Sequence, residues 1–281
     1  MAMININKPT INDINIITNC ALACTDALLA QELMGAIPYF TQIYQDYDRL
    51  MTASTGYTIP RSLAHGNLNA DFMKSLYTRQ LVGKTGRCRD DYDRILASAP
   101  RKKCPMCSES IVTALDHHVP KSSYFLYSIF PKNLVPICSR CNEAKKHTMP
   151  DQLNKQFIHP YYDDFSQAQW FEVRFTSINP IELTYVCKNN LHLGNGADEK
   201  LKSHFRRLKL DELYSSNAIV RLEDMKSNFQ PLLEINDWDS VYEELIDQQR
   251  MASRRPDSWE YALFSKLINE RWYIEGGFSN I

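Results

Sequence analysis

Two Cys-x-x-Cys pairs are the residues of this sequence whose types and spacing most clearly suit chemistry. Cys104 and Cys107 form the first pair, and Cys138 and Cys141 form the second. Four thiolates in two such pairs suit tetrahedral Zn²⁺, which lies about 2.3 Å from each sulfur. A redox dithiol, the alternative, would not need a second copy of the pair. The spacing therefore predicts a closed, structural zinc site that folds the intervening residues into one compact excursion.

The segment between the two pairs carries polar side chains of a second kind. Asp116, His117 and His118 are consecutive, Asn133 precedes the second pair, and Asn142 directly follows that pair. Carboxylate and carboxamide oxygens are hard donors that suit Mg²⁺ or Mn²⁺. A neutral imidazole can take a proton from a water molecule that attacks phosphorus. These are the residue types that one-metal phosphodiester hydrolysis uses.

In this order and spacing, residues 101–150 resemble the HNH endonuclease family, whose core is a zinc-bound ββα-metal unit. The resemblance implies that Asp116 and Asn142 bind the catalytic Mg²⁺ or Mn²⁺. It further implies that His117 is the general base and that Asn133 braces the loop by hydrogen bonds. The implied activity is metal-dependent endonucleolytic hydrolysis of nucleic acid that leaves 5′-phosphate and 3′-hydroxyl ends.

The doubled histidine leaves two candidates for the general base. On a regular strand Asp116 and His118 would share one face, and His117 would point to the other. Strict alternation therefore favours His118, whereas the register of the family favours His117. We take His117 as the base and keep His118 in the catalytic set, because we expect the strand to twist or end at this point.

Basic residues in and around this segment predict contacts with a nucleic-acid backbone. The candidates are Lys121, Arg140, Lys145 and Lys146. On a helix, Lys146 would lie on the same face as Asn142, four residues before it. His147, five residues after Asn142, would lie about 140° away from that face. Lys146 is thus predicted as a phosphate contact in preference to His147 as a metal ligand, although a solvated lysine and a surface histidine fit equally well. Contacts with the phosphate backbone do not discriminate between DNA and RNA. We expect a DNA substrate, with RNA as the alternative.

Composition and charge set limits on the class of protein. The chain has 281 residues, of which 44% are hydrophobic and 23% charged, as in ordinary globular proteins. Its net charge of -1 hides an asymmetry, since residues 79–103 hold eight Lys and Arg against three Asp, while residues 211–248 hold ten acidic and two basic residues. We find neither a signal peptide nor a membrane span and expect a soluble cytoplasmic protein with reduced cysteines.

Hydrophobic periodicity predicts a mostly α-helical α+β protein, and the resemblance implies a small ββα-metal core with the zinc site within it. Helix that is broken or bent near Pro38 is expected over residues 19–51, and helix is expected again over residues 70–81. Alternation over residues 170–175 and 181–187 predicts a β-hairpin, followed by helices. The acidic stretch over residues 211–248 is expected to be a solvated helical face, with a docking surface as the alternative. Cys20 and Cys24 lie one helical turn apart and are expected in a core. The predicted regions are residues 1–75, 76–165 and 166–281.

The long helical flanks exceed what a cutting module needs. They are similar to those of HNH subunits that work beside an ATPase in bacterial anti-phage systems of the Septu PtuB kind, without a diagnostic motif outside residues 101–150. That resemblance implies an ATPase partner and a role in antiviral defence. The alternative function is a zinc-stabilised module that binds nucleic acid or docks a partner without intrinsic cleavage.

Overall fold

A computed structural model of the chain describes residues 5–189, 191–194 and 196–281. These residues form two compact units: the first comprises 5–163, 194 and 196–204, and the second comprises 164–189, 191–193 and 205–281. Each unit is mainly helical with one two-stranded antiparallel sheet, which agrees with the predicted mixture of helix and strand. The predicted boundary after residue 165 lies close to the division at 163. The predicted boundary after residue 75 falls inside a helix of the first unit.

The N-terminal helices are α1 (Asp13–Leu22), α2 (Ala27–Gly35) and α3 (Ile37–Thr52). The predicted break near Pro38 is present, because α2 ends at Gly35 and α3 begins at Ile37. A second break, between Leu22 and Ala27, was not predicted. Asn12 and Asp26 each cap a new helix with a side-chain oxygen that accepts two backbone N–H groups. Pro38 lies in the first turn of α3, where its missing N–H leaves no hydrogen bond unmade.

The core of the first unit is built on one face of α3. Phe40, Tyr44 and Tyr47 recur at helical spacing along this face and are almost fully buried. The ring of Tyr44 stacks on Phe130 at 4.0 Å, and Tyr127 packs against the same pair. Helix α4 (Ala70–Leu76) continues into a π-helical turn, Tyr77–Val82, and α5 (Arg89–Ala97) follows.

The predicted excursion between the cysteine pairs contains strand, strand and helix in that order. Strand β1 (Ala114–His117) pairs antiparallel with β2 (Leu134–Ile137), with Asp116 opposite Val135. Helix α6 (Ser139–Lys145) begins one residue after β2 ends, and Cys138 caps it by accepting the Cys141 N–H at sulfur. The first unit also contains most of α7 (Ala197–Arg207), up to residue 204.

The second unit is organised around the predicted hairpin. Strands β3 (Phe171–Ile178) and β4 (Ile181–Cys187) pair antiparallel, with an irregularity between Phe175 and Ser177. The helices that follow are α8 (Leu210–Glu234), α9 (Trp238–Ala252), α10 (Trp259–Leu267) and α11 (Arg271–Ile274). Helix α8 continues through Pro231. Helices α8 and α10 pack against the hairpin.

Within the described ranges, we find no helix with the length and apolar character needed to cross a membrane.

Candidate active site and metal centre

The four predicted zinc ligands converge in the folded chain. Cys104, Cys107, Cys138 and Cys141 are buried, and their sulfurs all lie within 4.8 Å of one another. The Sγ atoms of Cys107 and Cys138 are 3.9 Å apart. A tetrahedral zinc ion with Zn–S bonds of about 2.3 Å needs sulfur–sulfur separations of about 3.8 Å. The four-cysteine site therefore could hold a metal such as zinc, as the spacing predicted.

The protonation of these thiols also suits a divalent cation. Hydrogen bonds from neighbouring sulfurs, with Cys104 the leading contributor, lower the pKa of Cys107 to about 6 and lower the pKa of Cys138 as well. The hydrogen bond with Cys107 raises the pKa of Cys104, and that with Cys104 raises the pKa of Cys141. A divalent cation that binds four thiolates releases the protons that the thiols still carry.

A buried histidine from another part of the chain forms a hydrogen bond with the backbone of the first cysteine pair. His204, in α7, donates from Nε2 to the carbonyl oxygen of Met106 at 2.7 Å. Its Nδ1 accepts the N–H of Ile158 at 3.2 Å. Burial lowers the pKa of His204 to about 4, so the ring is neutral at pH 7. Sequence reasoning missed this residue because no spacing relates it to the cysteines.

Asp116 is neutralised by a lysine from the end of α6. The Nζ atom of Lys145 lies 2.7 Å from Asp116 Oδ2 and donates to the carbonyl oxygen of His117 at 2.8 Å. The Lys145 side chain is 2% exposed and the Asp116 side chain 17%. The prediction of Lys145 as a nucleic-acid contact was therefore wrong, because its ammonium group is committed inside the protein.

His117 is held on two sides. Its Nε2 donates to the carbonyl oxygen of Ser128 at 2.9 Å, and its ring meets the edge of Tyr77 at 4.4 Å between centroids. A carbonyl oxygen can only accept, so Nε2 carries the proton and Nδ1 of the neutral ring keeps its lone pair. Burial lowers the pKa of His117 to about 4, although the nearby Asp116 carboxylate acts in the opposite direction.

Tyr77 is a site residue that sequence reasoning missed. Its hydroxyl donates to the carbonyl oxygen of Leu115 in β1 at 3.2 Å, which fixes the ring against His117. It opens the π-helical turn Tyr77–Val82, a backbone form that often marks functional sites. The Lys121 ammonium lies 4.5 Å from the centre of the same ring, and burial lowers the pKa of this lysine. The role of Tyr77 depends on its contact with His117, a residue 40 positions away in the sequence. No local sequence pattern indicates that contact.

His118 occupies a different environment from His117. Its backbone N–H donates to the carbonyl oxygen of Asn133, and its ring stacks on His159 at 4.0 Å. His159 Nε2 lies 3.2 Å from the Tyr47 hydroxyl. Burial lowers the pKa of both His118 and His159 well below the usual range for histidine. His118 is thus a neutral ring within a packed polar cluster.

Asn133 is fully buried and makes four hydrogen bonds. Its Oδ1 accepts the N–H of Val119 at 2.8 Å and the Tyr47 hydroxyl at 3.2 Å. Its Nδ2 donates to the carbonyl oxygens of Val119 at 3.2 Å and Tyr127 at 3.1 Å. These bonds tie the end of β1 to the loop that leads into β2. Asn133 therefore braces this loop by hydrogen bonds.

Asn142 lies on the exposed side of α6, directly after the last cysteine. Across the described part of the chain, no hydrogen bond joins its side chain to Asp116. Lys146 has a φ of 50°, so the helix ends at Lys145. The helical-wheel comparison of Lys146 with His147 was therefore wrong, since neither residue is in the helix. Both are exposed, and Arg140 is half-buried.

Comparisons with known proteins give one similarity and two negative results. No protein-family model matches the chain, and no solved structure matches it. The chain is 26% identical to the protein ea31 of Escherichia phage lambda over 279 aligned residues, which cover 85% of this chain and 88% of the phage protein. A similarity of that length extends well beyond the segment between the cysteine pairs.

Proposed function

We propose that the chain is a metal-dependent HNH-type endonuclease that hydrolyses phosphodiester bonds of nucleic acid. The observation that carries this proposal is the setting of His117. The ring is neutral, its Nε2 is bound to the Ser128 carbonyl oxygen, and its Nδ1 keeps a lone pair. An imidazole oriented in this way can accept a proton from an attacking water molecule.

The other residues have distinct roles in this proposal. Asp116 and Asn142 offer the hard oxygen donors for Mg²⁺ or Mn²⁺, and Asn133 keeps the loop in register. When bound, such a cation would stabilise the negative charge that develops on phosphorus oxygens and the leaving group. The four-cysteine site would hold zinc with a structural role. Lys121, Arg140 and Lys146 would contact the backbone of the substrate, which we expect to be DNA, with RNA as the alternative.

The test is cleavage of supercoiled plasmid DNA and of RNA by zinc-loaded protein, with and without Mg²⁺ or Mn²⁺. We expect cleavage only with the added cation and 5′-phosphate ends on the products. His117→Ala should abolish cleavage, His118→Ala should only reduce it, and the exposed His147→Ala serves as the matched control. Loss of cleavage in His118→Ala with activity kept in His117→Ala would reverse the assignment of the base.

A second candidate, a zinc-stabilised module that binds nucleic acid or a partner without cutting, is favoured by one observation. The Asp116 carboxylate is already neutralised by Lys145, which leaves it less available to a cation. Salt-dependent binding of DNA by a protein that never cleaves, with any cation or partner, would support this candidate.

We also propose that the nuclease works within an antiviral assembly that includes an ATPase subunit. The proposal rests on the helical flanks, in particular the acidic stretch over residues 211–248, which lies in α8 and α9. The test is purification of the tagged chain from its native host, followed by cleavage assays with and without the co-purified protein. Full activity of the isolated chain, with no ATPase recovered, would contradict this part.

A further inference from the structure

Lys145 is buried more completely than an ordinary lysine. The residue is 1% exposed, and its Nζ atom meets Asp116 Oδ2 at 2.7 Å and the His117 carbonyl oxygen at 2.8 Å. The ring of Phe157 lies 5.7 Å away from the same atom. Within the described ranges, Asp116 is the one carboxylate that pairs with this ammonium group.

A buried ammonium group needs a counter-charge, because water does not reach it. The lysine and the carboxylate therefore hold each other in place, and Oδ2 of Asp116 is committed to Lys145. A divalent ion at Asp116 would meet a positive charge only a few ångströms away. Even with the dielectric constant of water, that repulsion exceeds thermal energy, and it grows in a partly buried site.

We propose that Lys145 is an internal counter-cation of Asp116 that competes with the divalent metal ion for this carboxylate. The inference rests on the proposed function, since it concerns the ion that the proposed reaction uses. Lys145 is a positioning residue, because it acts through Asp116. It keeps the carboxylate oriented when no ion is present, and the ion must shift or share this contact when it binds.

The experiment measures Mn²⁺ binding to zinc-loaded protein by electron paramagnetic resonance of the free ion, so that no activity assay is involved. Lys145→Met removes the charge at similar length, and Lys145→Gln removes the charge but keeps an N–H donor for the His117 carbonyl. We expect each to bind Mn²⁺ at least about tenfold more tightly than the wild type, because the repulsion is gone. Lys145→Arg, which keeps the charge, and Lys84→Met, at an exposed position outside the site, should stay within about twofold of the wild type.

Asp116→Asn separates failure of this inference from failure of the proposed function. If wild type, both neutral Lys145 variants and Asp116→Asn all bind Mn²⁺ equally, there is no ion site at Asp116, and the proposed function falls together with the inference. If Asp116→Asn weakens binding but neither neutral variant strengthens it, only the inference falls. Zinc content and circular dichroism check that each variant is folded.

A measurement on the wild type covers the case in which the neutral variants do not fold. In protein with ¹³C-labelled lysine, the Lys145 side-chain resonance, assigned from Lys145→Arg, should move when Mg²⁺ is added. The Lys146 resonance should not move. A Lys145 resonance that stays unchanged at Mg²⁺ concentrations that saturate the site would overturn the proposal.

Discussion

The β1–β2 sheet and the β3–β4 hairpin are both two-stranded and antiparallel, but different interactions hold them. The strands of the first have four residues each, and sulfur and polar groups surround them: the four-cysteine site, Asn133 and the Asp116–Lys145 pair. The strands of the hairpin have eight and seven residues. Aromatic rings cover one face of the hairpin, with Phe171 and Tyr185 packed against Tyr214.

The difference shows where titratable side chains can be held. A long hairpin with an alternating pattern buries enough apolar surface to be stable with helices packed on it. Strands of four residues form a smaller sheet, although every residue of β2 is buried, and here a metal site and buried hydrogen bonds add to the apolar packing. The polar network that stabilises β1 and β2 is the same network that fixes Asp116 and His117. In the first unit, the groups that stabilise the sheet are therefore also the candidate functional groups. In the second unit, apolar packing stabilises the hairpin, and we assign it no candidate functional group.

Removal of the metal should have the largest effect on the difference between the β1–β2 sheet and the β3–β4 hairpin. Cys138→Ser, or a strong chelator, should unfold the β1–β2 segment, because zinc binding contributes on the order of 10 kcal/mol to the folding of such sites. Hydrogen exchange should show loss of protection over residues 104–145, while residues 171–187 keep theirs. Equal loss in both sheets, or in neither, would contradict the comparison.

A truncation in the hairpin should give the converse pattern. Phe171 is fully buried, and Phe171→Ala should cost about 3–5 kcal/mol of unfolding free energy. The bound zinc, measured by elemental analysis, should remain at the wild-type level. Glu182→Ala, at an exposed position of β4, is the matched control and should change stability by less than about 0.5 kcal/mol.

Asn133→Ala should destabilise the first unit by about 3 kcal/mol, because it leaves buried donors and acceptors of the Val119 and Tyr127 backbone without partners. Urea denaturation measures the change. Asn142→Ala, at an exposed position of α6, should change stability by less than about 0.5 kcal/mol. If the two asparagine variants were equally stable, Asn133 would not brace the loop.

Acid should destabilise the first unit through its buried neutral histidines. The pKa values of His117 and His204 are lowered to about 4, so between pH 6.5 and 4 the unfolded chain binds more protons than the folded one. Stability is therefore complete above about pH 6.5 and falls as pH decreases towards 4, by about 2 kcal/mol per histidine at pH 5.

Thermal melts at saturating zinc check this pH dependence. His204→Gln, which keeps a donor for the Met106 carbonyl, should lose less stability on acidification than the wild type does. Zinc content at each pH separates the titration of histidines from acid release of the metal. An identical pH dependence in the variant and the wild type would show that His204 is not responsible.

Sequence reasoning reached the elements that depend on local pattern. The four cysteines and the hairpin near residues 171–187 follow from short-range spacing and alternation, whereas the order of β1, β2 and α6 was expected only from the resemblance of residues 101–150 to the HNH endonuclease family. Sequence reasoning failed where the same local pattern is compatible with both a buried and an exposed side chain. Lys145 and Lys146 are neighbours in sequence, yet one is buried against Asp116 and the other is exposed beyond the end of α6. No local rule distinguishes two consecutive lysines at a helix terminus.

The amino-acid sequence by itself determined the four thiol donors and the set of acid, imidazole and carboxamide residues between and beside them, because residue type and spacing are local properties. Only the tertiary structure decided how each is held. The neutral state of His117 and the orientation of its ring come from Tyr77 and the Ser128 carbonyl. The pairing of Asp116 comes from a helix 29 residues further along the chain. Desolvation and hydrogen bonding depend on neighbours in space, which the order of residues does not specify.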